Sequence, residues 1–231
     1  MKTIGLIGGM SWESSLDYYR ILNQTVQSRL GGLHSAKVIM FSVDFADLAV
    51  MQHDGRWADI AAILVEAAQK LQMAGASMVL ICTNTMHRVA DDVEARISVP
   101  LVHIADAVAE VIKSQNLGRV GLLGTKFTME QDFYRQRLVE RHGLEVVIPD
   151  DAGRAAVHQI IYEELCQGQF KPESRQRVLD LCQELAGAGA EGVILGCTEL
   201  ELLVKDAAAA VPLFPTTRLH ADAAVNLALN L

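Results

Sequence analysis

Short aliphatic runs alternate along this chain with longer stretches whose apolar positions recur every three or four residues. Residues 4–7, 37–43, 78–81, 101–103, 120–123, 145–148, 192–195 and 212–214 read as strands. In residues 57–73 the apolar side chains Ile60, Ile63, Leu64, Ala67 and Leu71 fall at helical spacing, so one face can pack on a sheet. Asp54-Gly55 breaks the chain before this helix and Gly75 ends it. Strand–helix alternation predicts parallel sheets joined by right-handed crossovers, an α/β fold.

The pattern also repeats. Residues 71–83 read LQMAGASMVLICT and residues 185–197 read LAGAGAEGVILGC, a shift of 114 from Thr83 to Cys197. IGLIGG at 4–9 resembles VGLLGT at 120–125, and Val99-Pro100-Leu101 matches Val211-Pro212-Leu213. Three matches in order at nearly constant shift argue for duplication of one unit of ordinary domain size. The expected organisation is a first α/β domain over 1–100 and a second over 101–216. A final helical stretch, 217–231, is expected to return to the first. The duplication makes the domains pseudo-symmetric, and a small molecule held between them would sit between the Cys197 thiol and the Thr83 hydroxyl.

Composition narrows the function classes. The chain has 231 residues, 51% of them hydrophobic, and a net charge of −8 without a block of Lys or Arg. That excludes a disordered chain and argues against nucleic acid, which demands clustered positive charge. No apolar run approaches membrane-spanning length. The run after Met1-Lys2-Thr3 is too short for a signal peptide, so a cytoplasmic location with reduced thiols is expected. The four cysteines, at 82, 166, 182 and 197, match no zinc spacing, and no metal site is expected. Gly5, Gly8 and Gly9 lack the G-x-G-x-x-G spacing of dinucleotide loops, and no P-loop Lys follows.

In parallel sheets, ligands bind beyond the carboxyl ends of the strands. This selects segments 8–14, 44–53, 83–87, 124–128 and 197–199, rich in Thr, Ser, Asn and Gly. Such segments offer main-chain N–H groups and short donors suited to an α-carboxylate. The bland alternative is that Asn84, Thr85 and Thr198 only cap helices. Cys197 follows a strand and precedes a helix start, where a thiolate would be favoured and could act as a general base. Thr83 cannot ionise near neutrality, but can donate or relay a proton. Cys82, one residue earlier, is expected to face the core. Cys166 and Cys182, in helical stretches, read as small buried hydrophobes.

The segments IGLIGGMSWESS (4–15), CTNTMH (82–87) and GCTEL (196–200) resemble the aspartate/glutamate racemase family. SVDFADL (42–48), IIYEEL (160–165) and TTRLHA (216–221) extend the resemblance over essentially the whole chain. It implies two pseudo-symmetric α/β domains with the active site between them. It also implies an amino-acid substrate and no pyridoxal phosphate, metal or nucleotide cofactor. Homodimerisation, common in the family, stays open. One cysteine per domain would flank the α-carbon, but the first is Thr83 here. Cys197 is then expected to take the α-proton of an L-amino acid, aspartate or glutamate in the first instance, and Thr83 to return one. The resemblance also assigns the amino-acid end to the Met10 and Ser11 backbone, Gln52, Asn84, Thr85, Thr125 and Thr198, with His87 and Glu199 orienting. Residues that hold a distal carboxylate in some aspartate racemases align with Ala49 and Cys166, so broad specificity is open. Gln52, His53, Arg56 and Lys171 are the nearby replacements. A decarboxylase of the same fold, which keeps only the second thiol, and a non-catalytic amino-acid-binding protein are the rival functions.

Overall fold

The computed structural model describes residues 1–205 and 208–230. Asp206 and Ala207, in the second expected domain, and Leu231, at the end of the last helical stretch, lie outside the described residues. The chain divides into two compact units, Met1–Ile104 with His220–Leu231, and Ala105–Leu219.

Unit 1 runs β1 (Ile4–Gly8), α1 (Trp12–Leu30), β2 (Val38–Ser42), α2 (Phe45–His53), α3 (Trp57–Met73) and β3 (Met78–Ile81). A short 3-10 turn (Thr85–Val89) and α4 (Ala90–Glu94) follow. The strands form a parallel sheet in the order β2-β1-β3. Its two faces are buried by different partners, as the two-residue strand period demands. Ile7, Val79 and Ile81 pack with Ile60, Leu64 and Leu71 of α3. Ile4, Leu6, Met78, Leu80 and Cys82 pack with Tyr18, Leu22 and Val26 of α1, and with Ala221, Ala224 and Val225 from the end of the chain.

Unit 2 takes up α5 (Ile104–Ser114) after its first residue, then β4 (Arg119–Gly124), α6 (Lys126–Glu130), α7 (Asp132–His142) and β5 (Glu145–Val147). Next come α8 (Asp151–Glu163), a 3-10 turn (Leu165–Gln167), α9 (Pro172–Gly187), β6 (Gly192–Gly196), α10 (Thr198–Leu203) and β7 (Leu213–Pro215). The parallel order is β5-β4-β6-β7. The last helix, α11 (Thr216–Leu229), begins in unit 2 and re-enters unit 1 at His220.

The repeat seen in the sequence recurs in the hydrogen bonds of each unit. Ala76 N–H donates to the Leu71 carbonyl and Ala190 N–H to that of Leu185, both at 3.0 Å. Gly75 and Gly189 turn the chain with φ of +96° and +93°, a region that favours glycine. Val79 N–H donates to Pro100 and Val193 N–H to Pro212, both at 2.9 Å. One expectation differs. Residues 101–103 do not form a strand; Leu101 makes a single parallel bridge to Val79. Pro100 brings no N–H to the ladder, and the chain enters α5 at Ile104 before a second pair can form.

The unit divisions fall after Ile104 and Leu219, four and three residues beyond the breaks placed from sequence. Side-chain bonding explains the second offset. Thr216 Oγ1 donates to the Leu195 carbonyl (2.9 Å), and Thr217 N–H donates to Glu201 (2.6 Å), tying the first turn of α11 to unit 2. His220 is fully buried in unit 1. Its Nε2–H donates to the Val102 carbonyl, and Nδ1 accepts from the Tyr18 hydroxyl, both at 2.7 Å.

Burial holds the His220 pKa down to about 4. The unfolded chain then binds the extra proton first, so stability present above pH 6.5 drains away as pH falls toward 4. Between pH 7.5 and 4.5 this group costs the fold on the order of 2–3 kcal/mol. Urea unfolding at both pH values checks it. His220→Gln should lower stability at pH 7.5 but remove about that much of the pH dependence. An unchanged slope would place the responsible group elsewhere.

Candidate active site

In unit 1 the candidate residues gather where β1 and β3 end. After β1 the chain turns at Gly9, whose φ is +91° and where a Cβ would come within 2.2 Å of the Val43 carbonyl oxygen. Gly9 N–H donates to Ser15 Oγ (2.7 Å), and Ser11 caps α1 by accepting from Ser14 N–H (3.4 Å). Met10 is 4% exposed and sits in the α3-side core, so only its main chain is available. Gln52 lies on α2 and is 4% exposed, a buried polar side chain on a helix that otherwise buries Leu48.

Beyond β3, strand alternation separates two neighbours. Cys82 is fully buried in the α1-side core, where burial pushes its thiol pKa up. Thr83 is half-buried at the strand end, and its carbonyl accepts from His87 Nδ1 at 2.8 Å. Asn84 and Thr85 are buried and open the 3-10 turn, but Asn84 makes no side-chain capping bond. Capping therefore does not account for the Asn84 side chain.

Unit 2 has the matching arrangement. Thr125 caps α6 by accepting from Thr128 N–H (3.3 Å), and the Thr125 and Thr128 hydroxyls are 3.2 Å apart. Ser11 and Ser14 repeat this pairing at 3.3 Å, so equivalent hydroxyl pairs stand after the first strand of each unit. Cys197 is the N-cap residue of α10 and also makes no side-chain capping bond. Instead Cys197 Sγ–H donates to Glu199 Oε2 at 3.1 Å, and Thr198 Oγ1–H donates to the same oxygen at 2.6 Å. All three residues are buried.

This arrangement corrects the thiolate expectation. Burial first, then the Glu199 charge and the neighbouring Cys166, push the Cys197 pKa well above the ordinary thiol value. In the resting protein these surroundings favour the thiol over the thiolate. The Glu199 main-chain N–H at the start of the helix favours the thiolate, but it is the smallest of these influences.

The residues weighed for a distal carboxylate divide sharply. Arg56 is turned to Asp59 at the surface (2.6 Å), Lys171 bonds Glu164 (3.2 Å), and His53 is exposed, which leaves Gln52 as the buried one of the four. Sequence reasoning missed His103 and His220, whose rings pack against that of His87, and Tyr18, which contacts His220. No local signal marks them, since 133 positions of chain separate His87 from His220. Cys182 is buried in unit 2, its thiol pKa pushed up to about 12 by burial. Cys166 is half-buried. Among the described residues no three His, Cys, Asp or Glu side chains gather as a metal ion requires, and no helix is long and apolar enough to cross a membrane.

The sequence pattern of the Asp/Glu/hydantoin racemases matches residues 7–224. The chain belongs to this family. It is an isomerase, an amino-acid racemase. The crystal structure of a Yersinia pestis protein assigned as an Asp/Glu racemase superposes with a TM-score of 0.93 at 54% identity, covering 99% of this chain and 100% of that one. An aspartate racemase homologue from Pyrococcus horikoshii OT3 superposes at 0.86 with 38% identity, again over 99% and 100%. The broad specificity amino-acid racemase RacX of Bacillus subtilis is 25% identical over 166 residues, covering 71% of this chain and 70% of that protein.

For this racemase the thiol–carboxylate contact has a measurable consequence. Glu199→Gln keeps an acceptor beside Cys197 but removes the charge that raises its pKa. Site-resolved iodoacetamide labelling at pH 8 should then modify Cys197 about tenfold faster than in the parent, one pKa unit of added thiolate. Equal or slower labelling would mean that the carboxylate does not hold the proton on sulfur.

Proposed function

We propose that this racemase interconverts L- and D-amino acids without a cofactor, with aspartate and glutamate as the leading substrates and a wide tolerance for others. The observation that carries it is the buried Cys197 thiol at the end of β6, hydrogen-bonded to the Glu199 carboxylate. Its counterpart in the repeat, at the end of β3, is Thr83. Breadth is favoured because Arg56 and Lys171 are committed to carboxylates of the protein itself. The name of the Bacillus subtilis relative points the same way.

In the proposed reaction the substrate α-carboxylate is held by the Ser11 and Met10 main chain and by Gln52, Asn84, Thr85, Thr125 and Thr198. The substrate ammonium offsets the Glu199 charge. Glu199 takes the Sγ proton of Cys197, and the thiolate takes the α-proton of the L-enantiomer. The pair of electrons left on Cα is spread into the carboxylate and then captures a proton delivered by Thr83, directly or through a water. Thr83 regains its proton from solvent and Glu199 releases one, so the proton count closes. A hydroxyl is a far weaker base than a thiolate, which makes the L-to-D direction the faster one at saturating substrate. The equilibrium between free enantiomers stays at unity, so the Michaelis constants must compensate.

A panel of L- and D-amino acids in deuterium oxide, without added cofactor, tests this. Solvent deuterium should enter the α-position of L-substrates readily and of D-substrates slowly. Cys197→Ala should abolish both, and Thr83→Cys should raise D-enantiomer turnover selectively. Equal exchange from both enantiomers in the parent enzyme would remove Thr83 from its assigned role. Carbon dioxide release from malonates, without racemisation, would favour a decarboxylase instead.

A further inference from the structure

Three imidazoles of unit 1 are buried together behind Thr83, and none belongs to the reaction just described. His87, His103 and His220 are 3%, 4% and 0% exposed. The His87 ring centroid lies 4.5 Å from that of His103 and 5.8 Å from that of His220. Hydrogen bonding fixes which nitrogens carry protons. Ile104 N–H donates to His87 Nε2 (3.2 Å), so that nitrogen is a bare acceptor. His87 Nδ1 therefore carries the hydrogen and donates to the Thr83 carbonyl (2.8 Å). In His220 the order is reversed, because Nε2 faces the Val102 carbonyl (2.7 Å) and Nδ1 faces the Tyr18 hydroxyl (2.7 Å). The two rings are thus held in opposite tautomers, each by its own main-chain partners.

Their places in the chain add meaning. His103 and Ile104 are the last residues before the chain leaves unit 1, and His220 is the first on its return. His87 joins that double junction to the carbonyl of Thr83.

We propose that His87 is a positioning residue. As the Nδ1–H tautomer it holds the Thr83 main chain, and with it the direction of the Thr83 hydroxyl, against the segments that enter and leave unit 1. Its importance for catalysis rests on the proposed role of Thr83. His87 touches no reacting atom and acts on the second proton transfer alone.

Two substitutions separate its two hydrogen bonds. The amide nitrogen of His87→Asn stands near Nδ1 and can keep the bond to Thr83. The amide oxygen of His87→Gln stands near Nε2 and can keep only the bond from Ile104. Each variant is assayed with an L-substrate in deuterium oxide for α-deuterium exchange, which requires Cys197, and for appearance of the D-enantiomer, which also requires Thr83. In His87→Gln the ratio of racemisation to exchange should fall about a hundredfold, the scale of an ångström-sized misplacement. His87→Asn should recover most of that ratio. Nitrogen-15 spectra of the parent enzyme should show His87 protonated at Nδ1 and bare at Nε2. A proton on Nε2, an unchanged ratio in His87→Gln, or a parallel loss of both rates would overturn the inference. Absence of exchange in the parent enzyme would instead overturn the racemase mechanism built on Cys197, and the nitrogen-15 tautomer would still decide whether His87 holds Thr83.

Discussion

A parallel sheet buried on both faces has room for polar chemistry only at its strand ends. Both sheets of this racemase obey that constraint, and the placement of the candidate residues follows from it. Every described strand residue of β1 and β3 is buried, as is every one of β6. Groups that must meet a charged small molecule are therefore confined to the first residues after each strand. There the chain turns into a helix, leaving main-chain N–H groups to be satisfied. Ser11 and Thr125 serve as caps in this position. Asn84 and Cys197 stand at helix starts without side-chain capping bonds, which is where side chains with other work are expected.

The same burial that shapes the site also sets its chemistry. A thiol removed from water resists ionisation, and a carboxylate 3.1 Å away strengthens that resistance. The cost looks wasteful until the charge of an amino acid is considered. In the proposed mechanism a substrate ammonium beside Glu199 offsets the charge that raises the thiol pKa. Under the proposed mechanism the thiolate appears mainly when substrate is bound, so the resting enzyme keeps its base protected from alkylation and oxidation.

The two units repeat one plan, but their polar interiors diverge. Unit 2 supports its strand end with a carboxylate, Glu199, that contacts the Cys197 and Thr198 side chains directly. Unit 1 supports its strand end with an imidazole, His87, that contacts the Thr83 main chain. A thiol base needs a charged neighbour to govern its proton. A hydroxyl with an unreachable pKa gains little from such a neighbour and depends on direction instead. The divergence matches the roles proposed for Cys197 and Thr83.

By itself the sequence determined the alternation of strands and helices, the duplication, and the two equivalent strand ends that carry Thr83 and Cys197. These follow from local pattern: a period of two or of three to four, glycines at turns, and a shift of 114 between equivalent residues. Strand period alone also sent Cys82 into the core and left Thr83 at the end. Tertiary structure alone decided three things. It set the surroundings of Cys197 against the thiolate, because desolvation depends on everything packed around the sulfur. It turned Arg56 and Lys171 toward Asp59 and Glu164, because long side chains pair with the nearest accessible charge. It gathered His87, His103, His220 and Tyr18, residues from four separate stretches of the chain. A hydrogen-bond network of that kind leaves no periodic trace in sequence, since its members are chosen by distance in space and not by spacing along the chain.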